Sequence, residues 1–291
     1  MPYPSTFSIV AYDPQSKEWG VAVASKFPAV GAVVPWARAD VGAVATQSFA
    51  NTSFGPTGLA LMAVGATASE ALARLLEDDS GREQRQVGMV DAQGRSATFS
   101  GKECHHWAGG LTGFGYAVQG NILTGPNVVE TMQSNFLETS GDLAARLHAA
   151  LLAGDRAGGD KRGRQSAAVL VVQPKGGYGG FNDRKIDYRV DDAVDPVSQL
   201  GDLISLHRLY FDRSSEEDRI RFDGRLTLEL QTMMAKLGYF KGSLSGQYDT
   251  ETIKAFTEFM GNENFEERAN PDEGWADRPV LEYLRQKFGS K

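Results

Sequence analysis

The clearest hydrophobic pattern in the chain comes at its start. Residues 6–12 (Thr-Phe-Ser-Ile-Val-Ala-Tyr) and 19–26 (Trp-Gly-Val-Ala-Val-Ala-Ser-Lys) are short, β-branched and apolar, and they flank the turn residues Asp13 to Glu18. Two such runs around an Asp-Pro-containing turn predict a β-hairpin. A buried strand that opens on Thr6 places a hydroxyl inside the fold close to a chain end. A free α-amine at Thr6 would titrate near pH ~8, so one residue could supply both nucleophile and base. That chemistry requires removal of Met1 to Ser5. The alternative is a threonine that serves only the strand.

Further along, residues 40–46 read as a small-residue strand, followed by a polar loop from Gln47 to Phe54. Pro56 starts a helical stripe through Leu59, Met62, Ala63, Ala66, Ala71, Leu72 and Leu75, predicted as helix to about Glu77. Residues 85–90 and 95–99 around Asp91 to Gly94 predict a second hairpin. A strand is expected over 116–123, helices over 127–136 and 141–152, strands over 165–172 and 186–190, and a helix opened by Asp195 and Pro196. Hairpins outnumber any βαβ repeat, so the pattern predicts an α+β layered sandwich and not a doubly wound parallel sheet. After the acidic stretch Ser214 to Asp218 the period turns helical. Apolar positions 226, 230, 233, 234 and 237 mark one helix and residues 250–260 another. The expected division is a sandwich domain over 1–213 and a small helical domain over 214–291.

With 41% hydrophobic and 23% charged residues the 291-residue chain has an ordinary globular composition. A formal net charge of −7 and the lack of a basic stripe argue against nucleic acid as a partner. No run approaches the ~18 apolar residues of a membrane span, and no secretory leader is read at the start, so the expected location is cytoplasmic. The single cysteine, Cys104, excludes an internal disulfide. Cys104, His105 and His106 suggest a metal or a thiol dyad, but no further ligand stands at a known spacing, so neither a metal nor a cofactor is expected.

Residues 6–11 with 20–27, 41–47, 118–123 and 159–168 resemble a bacterial family of unknown function in the N-terminal nucleophile (Ntn) hydrolase superfamily. The resemblance implies a four-layer αββα sandwich over about 6–212 and a Thr6 nucleophile. The tail resembles a peptidoglycan-binding-like helical domain through residues 230–239, Gly242, 246–250 and 252–256. Those are mostly packing and turn residues, so they speak for fold more than ligand.

Several residues are candidates for the site. Ser8 shares the strand face of Thr6 and is a helper hydroxyl or a second nucleophile. Lys26 would favour an oxyanion or an ionised hydroxyl, or is a surface lysine. Ser25, Thr46, Gln47 and Ser48 are candidates for substrate or oxyanion contact, or for turn capping. Asn121 offers a carboxamide to an oxyanion or fixes its own turn. Asp160, Arg164 and Gln165 precede a buried strand, and an Arg164–Asp160 pair would position a carboxylate substrate or act structurally.

The resulting expectation is an amidohydrolase that cleaves a small-molecule amide through Thr6. A non-catalytic binding or assembly protein is the alternative. The expected partners are a small-molecule ligand, further copies of the chain in a homo-oligomer, and a cell-wall glycan or the chain's own sandwich for the tail.

Overall fold

A computed structural model describes residues 6–212 and 215–289. Residues 1–5, whose removal would expose Thr6, lie outside the described residues, as does Ser214 at the head of the acidic stretch. The chain divides into two compact units between Ile204 and Ser205. The architecture is mixed α+β, with a largely helical C-terminal unit.

In chain order the first unit comprises β1 (Thr6–Asp13), β2 (Glu18–Ser25), β3 (Pro35–Arg38), β4 (Gly42–Ser48), α1 (Phe54–Ala63) and α2 (Ala68–Glu77). β5 (Arg85–Asp91), β6 (Ser96–Ser100), β7 (Gly109–Gly113), β8 (Tyr116–Asn121), α3 (Asn127–Glu138) and α4 (Leu143–Arg156) follow. β9 (Ser166–Val172), β10 (Arg184–Val190) and α5 (Pro196–Phe211) complete it, and the division between the units falls inside α5.

The strands form an antiparallel six-stranded sheet ordered β10-β9-β2-β1-β8-β7 and an antiparallel four-stranded sheet ordered β3-β4-β5-β6. Alternation along each strand sorts side chains into separate cores. Phe7, Ile9 and Ala11 of β1 pack with Met132, Phe136, Leu147 and Leu151 of α3 and α4. Val10 of β1 and Val21 and Val23 of β2 point the other way and meet Ala43, Ala45 and Val90 of the four-stranded sheet. That sheet turns Val44, Val87 and Met89 toward Leu59, Met62, Leu72 and Leu75 of α1 and α2. The two sheets therefore lie face to face, each with helices on its outer side. β1 sits between β2 and β8.

The predicted hairpin has the register Thr6 opposite Ser25 and Asp13 opposite Glu18. Its turn is fixed by Asp13, whose carboxylate accepts from the Gln15 N–H at 2.9 Å. Two local expectations need correction. The long helix to Glu77 is two helices, because Gly65 adopts φ +101° and Thr67 starts α2 afresh. Thr67 and Glu70 form a reciprocal capping box at 3.1 and 2.8 Å. The strand expected over 116–123 stops at Asn121, since Ile122 turns the chain with φ +50°. Strand β7, with three glycines in five residues, was not predicted at all.

The second unit holds β11 (Arg219–Arg221), α6 (Gly224–Leu237), α7 (Thr250–Asn262), β12 (Ala269–Asn270), β13 (Trp275–Asp277) and α8 (Arg278–Phe288). The helices predicted near 226–237 and 250–260 are present. They are capped by Asp223 and Asp249, whose carboxylates accept from Leu226 N at 2.7 Å and Thr252 N at 2.9 Å. Leu230, Met234, Phe256, Phe259, Phe265 and Leu284 form their own core. The small β11-β13-β12 sheet and α8 lay outside the sequence expectation.

No helix among the described residues is long and apolar enough to cross a membrane.

Candidate functional site

The face of the six-stranded sheet that meets the second sheet changes character along the strands. At one end it is apolar, with Ala117, Val10, Val21 and Leu170 side by side on β8, β1, β2 and β9. One step along lie Gln119, Ser8, Val23 and Ala168. The last row is Asn121, Thr6, Ser25 and Ser166, every one of them buried. Residues in register on adjacent strands point to the same side, so four polar side chains line up across four strands. The four-stranded sheet answers with Gln47, Gln86 and Ser100 in register on β4, β5 and β6.

Buried polar groups cost several kcal/mol when unpaired, which drives these side chains to satisfy one another. Gln119 Nε2 donates to Ser8 Oγ at 2.7 Å, and Ser8 Oγ donates to Gln47 Oε1 at 2.6 Å. Gln47 Nε2 donates to Gln86 Oε1 at 2.8 Å, and Asn121 Nδ2 reaches the same oxygen at 2.9 Å. Gln86 Nε2 donates to Ser100 Oγ and to the Gly120 carbonyl, both at 2.7 Å. The chain of carboxamides therefore ties one sheet to the other. Gly88 leaves room for it, because a Cβ there would sit 2.0 Å from Gln119 Oε1.

Thr6 stands at the edge of this network. Its Oγ1 lies 3.2 Å from Ser25 Oγ, and its carbonyl accepts from Gln47 Nε2 at 3.3 Å. Among the described residues, no carboxylate, imidazole or ammonium is hydrogen-bonded to the Thr6 or Ser8 hydroxyl. Ser8 is held between two carboxamides, which fits a structural hydroxyl better than a nucleophile.

Other predicted residues fall elsewhere. Thr46 and Ser48 lie on the opposite face of β4 from Gln47, in phase with Val44 and not with the inter-sheet side. Thr46 Oγ1 donates to the Asn51 carbonyl at 3.1 Å, and Ser48 takes φ +68° as the strand ends. The sequence grouped them with Gln47, and period-two alternation separates them. Gln165 Nε2 donates to Asp192 Oδ1 at 3.2 Å.

The expected Arg164–Asp160 pair is replaced by two different pairs. Arg164 binds Asp155 with Nε and Nη2, each at 2.8 Å. Asp160, with a side chain only 1% exposed, accepts from Arg162 Nη2 at 3.1 Å and from the backbone N–H of Lys26 at 2.6 Å. Gly163, at φ +110°, turns the chain between the two arginines. Lys26 is exposed, and its Nζ donates to the Arg164 carbonyl at 3.2 Å.

Gln86, Gln119, Thr98, Ser100 and Ser166 join the inter-sheet space without having been chosen as site residues. Ser166 is held by the loop after β2, donating to the Phe27 carbonyl at 2.5 Å and accepting from Val30 N at 3.1 Å. A signal for Gln86 existed. It alternates in phase with Gly88 and Val90, which marks a polar side chain at an inward position.

The start of β5 is braced beside this network. Arg85 clamps Asp79 at 2.7 and 3.2 Å and donates to the Phe49 carbonyl at 2.6 Å. The Arg85 hydrogen bond, helped by the Gly81 N–H, holds the Asp79 carboxyl below its usual range against an opposing effect of desolvation. A depressed folded-state pKa stabilises above the unfolded value of ~3.9, and the gain disappears as pH falls through the folded value. Urea unfolding should show the native chain more stable than Asp79→Asn at pH 7, with the two converging as pH falls through the acid range.

Cys104 is buried, and its thiol donates to the Arg85 carbonyl at 3.3 Å. Burial pushes its pKa up, which disfavours a reactive thiolate. Among the described residues no group of three or more His, Cys, Asp or Glu side chains is placed to hold a metal ion.

Comparison with known proteins sets this geometry in a family. Residues 6–200 match a family described as "Family of unknown function (DUF1028)", and residues 210–284 match one described as "Putative peptidoglycan binding domain". No curated protein matches. Among solved structures, the chain is similar to protein SPO2555 from Silicibacter pomeroyi, itself assigned to DUF1028. The two are 30% identical with a TM-score of 0.64, over 70% of this chain and 89% of the other. A match that takes in both face-to-face sheets and every strand of the polar row places this chain in the DUF1028 family, whose function is unknown.

Proposed function

We propose that the first unit is an Ntn-type amidohydrolase whose nucleophile is Thr6, and that its stacked sheets and outer helices are the αββα sandwich of that superfamily. The observation that supports this most is the buried row Asn121–Thr6–Ser25–Ser166. It puts the hydroxyl of the first residue of a central strand beside a second hydroxyl at one end of the sheet. Thr6 has no side-chain base at hand among the described residues, and its own α-amine, once freed, would supply one.

In the reaction the Thr6 hydroxyl oxygen attacks the amide carbonyl while its proton passes to the α-amine. The Ser25 hydroxyl, 3.2 Å away, is placed to stabilise the developing oxyanion or to carry that proton. The C–N bond then breaks, the leaving amine takes the proton from the ammonium, and an acyl ester remains on Thr6. Water, deprotonated by the same amine, attacks the ester; the acyl C–O bond to Thr6 breaks, the Thr6 oxygen takes the proton back from the ammonium, and a carboxylic acid is released. Gln47, through the Thr6 carbonyl, and Asn121, through Gln86, are positioning residues. The chemistry calls on no cofactor.

The substrate in this reading is a small molecule. The C-terminal unit is the partner-binding module, with cell-wall glycan as the ligand class its family description suggests. We further propose a homo-oligomer as the working state of the sandwich.

A second reading, a binding protein that keeps the sandwich without its chemistry, is favoured by one observation. Ser8, Gln47, Gln86 and Gln119 satisfy one another, as a purely structural network would. The test between the two is amide hydrolysis by a chain beginning at Thr6, measured against the same chain carrying Thr6→Ala.

A further inference from the structure

The loop from Gly158 to Gln165 occupies a particular place. It leaves α4 and touches the chain just beyond β8, where Thr124 N donates to the Gly159 carbonyl at 3.2 Å and Lys161 N to the Ile122 carbonyl at 3.0 Å. It then reaches the residue just beyond β2, where Lys26 N and Lys26 Nζ bind Asp160 Oδ2 and the Arg164 carbonyl. β1 lies between β8 and β2 in the sheet, so the loop spans the end of the sheet at which β1 begins with Thr6.

The charges on and around this loop nearly balance, and they differ in which of them are paired. Lys26, Lys161, Arg162 and Arg164 gather there with Asp155 and Asp160, while Asp192 bonds to Gln165 and Asp195 lies near Arg164. Asp155 and Asp160 are buried, and each is engaged with one arginine, which fixes the guanidinium groups in place. Lys26 differs from the arginines. Among the described residues no carboxylate lies within salt-bridge distance of its ammonium, which donates instead to the Arg164 carbonyl oxygen. Lys26 thus sets an exposed ammonium one residue beyond Ser25, at the end of the sheet where β1 begins with Thr6.

We infer that the site takes an anionic substrate. In it a carboxylate a few bonds from the scissile amide is held by Lys26. The inference rests on the amidohydrolase reading and names its substrate class. A charge-assisted hydrogen bond at a partly exposed site corresponds to about a tenfold preference, or about 1.4 kcal/mol. It should weaken as salt shortens the screening length.

The probes are succinyl p-nitroanilide, which carries the carboxylate, and butyryl p-nitroanilide, its neutral counterpart. The full chain beginning at Thr6 should prefer the succinyl compound by about tenfold in kcat/KM, mainly through KM. Lys26→Met should remove most of that preference, lowering kcat/KM for the succinyl compound about tenfold more than for the butyryl compound. Equal or better hydrolysis of the butyryl compound, insensitive to Lys26→Met, would overturn the inference and leave the hydrolase reading standing.

Binding of free succinate to the Thr6→Ala chain, followed by calorimetry, needs no turnover. Saturable binding that disappears in Thr6→Ala/Lys26→Met supports the anion site even if neither anilide is cleaved. Succinate that fails to bind, or binds equally well without Lys26, overturns it whatever the anilides show.

Discussion

Thr6→Ala should abolish amide hydrolysis by the chain that begins at residue 6, lowering kcat/KM at least about a thousandfold. The variant removes the attacking oxygen and leaves the α-amine, Ser25 and the carboxamide network in place. Thr6→Ser keeps the hydroxyl and the amine and should retain activity within roughly tenfold. This pair of variants separates chemistry from folding. The Thr6 side chain makes one described hydrogen bond, to Ser25 Oγ at 3.2 Å, so its loss costs only about 1 kcal/mol of stability. Progress is read as amine release from an anilide, with circular dichroism to show that each variant is folded. Equal activity in Thr6→Ala and the parent would move the nucleophile elsewhere. Ser8 is a poor substitute, because its oxygen is held at 2.6 and 2.7 Å by Gln47 and Gln119.

The largest stability loss is expected for Gln86→Ala, about 3–5 kcal/mol. Gln86 is fully buried and joins both sheets through its two polar atoms. Truncation removes the acceptor that Gln47 Nε2 and Asn121 Nδ2 share, leaves Gln47 Nε2 with only its longer contacts to the Thr6 and Gln119 carbonyls, and deprives the Gly120 carbonyl of a donor. Each buried group left without its partner costs about 1–3 kcal/mol, and the cavity adds to that. Because the chain has two units, the transition must be assigned. Trp19, Trp36 and Trp107 report on the first unit and Trp275 on the second, so tryptophan fluorescence in urea should be paired with a Trp275→Phe background. A loss under about 1 kcal/mol would mean that the carboxamides are not the tie between the sheets.

Much of the first unit was legible because local pattern and fold agree there. The opening hairpin and the Asp91 turn carry turn residues between short apolar runs, and Ser166–Val172 form an unbroken buried run, so local pattern leaves little choice. Alternation also placed Thr6 and Ser8 on one face, and Ser25 opposite Thr6 follows from the hairpin register. What the sequence could not convey is the long-range pairing. β1 pairs with β8 more than a hundred residues away, and nothing local to Gln119 or Gln86 says that their amides meet across two sheets. The Arg164–Asp160 expectation failed for a related reason. Spacing along the chain suggested a pair, but Gly163 turns between them and α4 brings Asp155 to Arg164 instead. The single long helix ending at Glu77 failed because an apolar stripe persists through Gly65, while the Thr67–Glu70 capping box restarts the helix. Where apolar pattern and capping chemistry disagree, capping decides the boundary.

The central claim is that Thr6 acts as a free N-terminal residue. Intact-mass spectrometry with N-terminal sequencing, on protein purified from its native host, tests it directly. The account predicts a mature chain that begins at Thr6 with an unblocked α-amine. A mature chain that still begins at Met1 or Pro2 would contradict it, because the threonine nitrogen would then be an amide and could not accept the proton of its own hydroxyl.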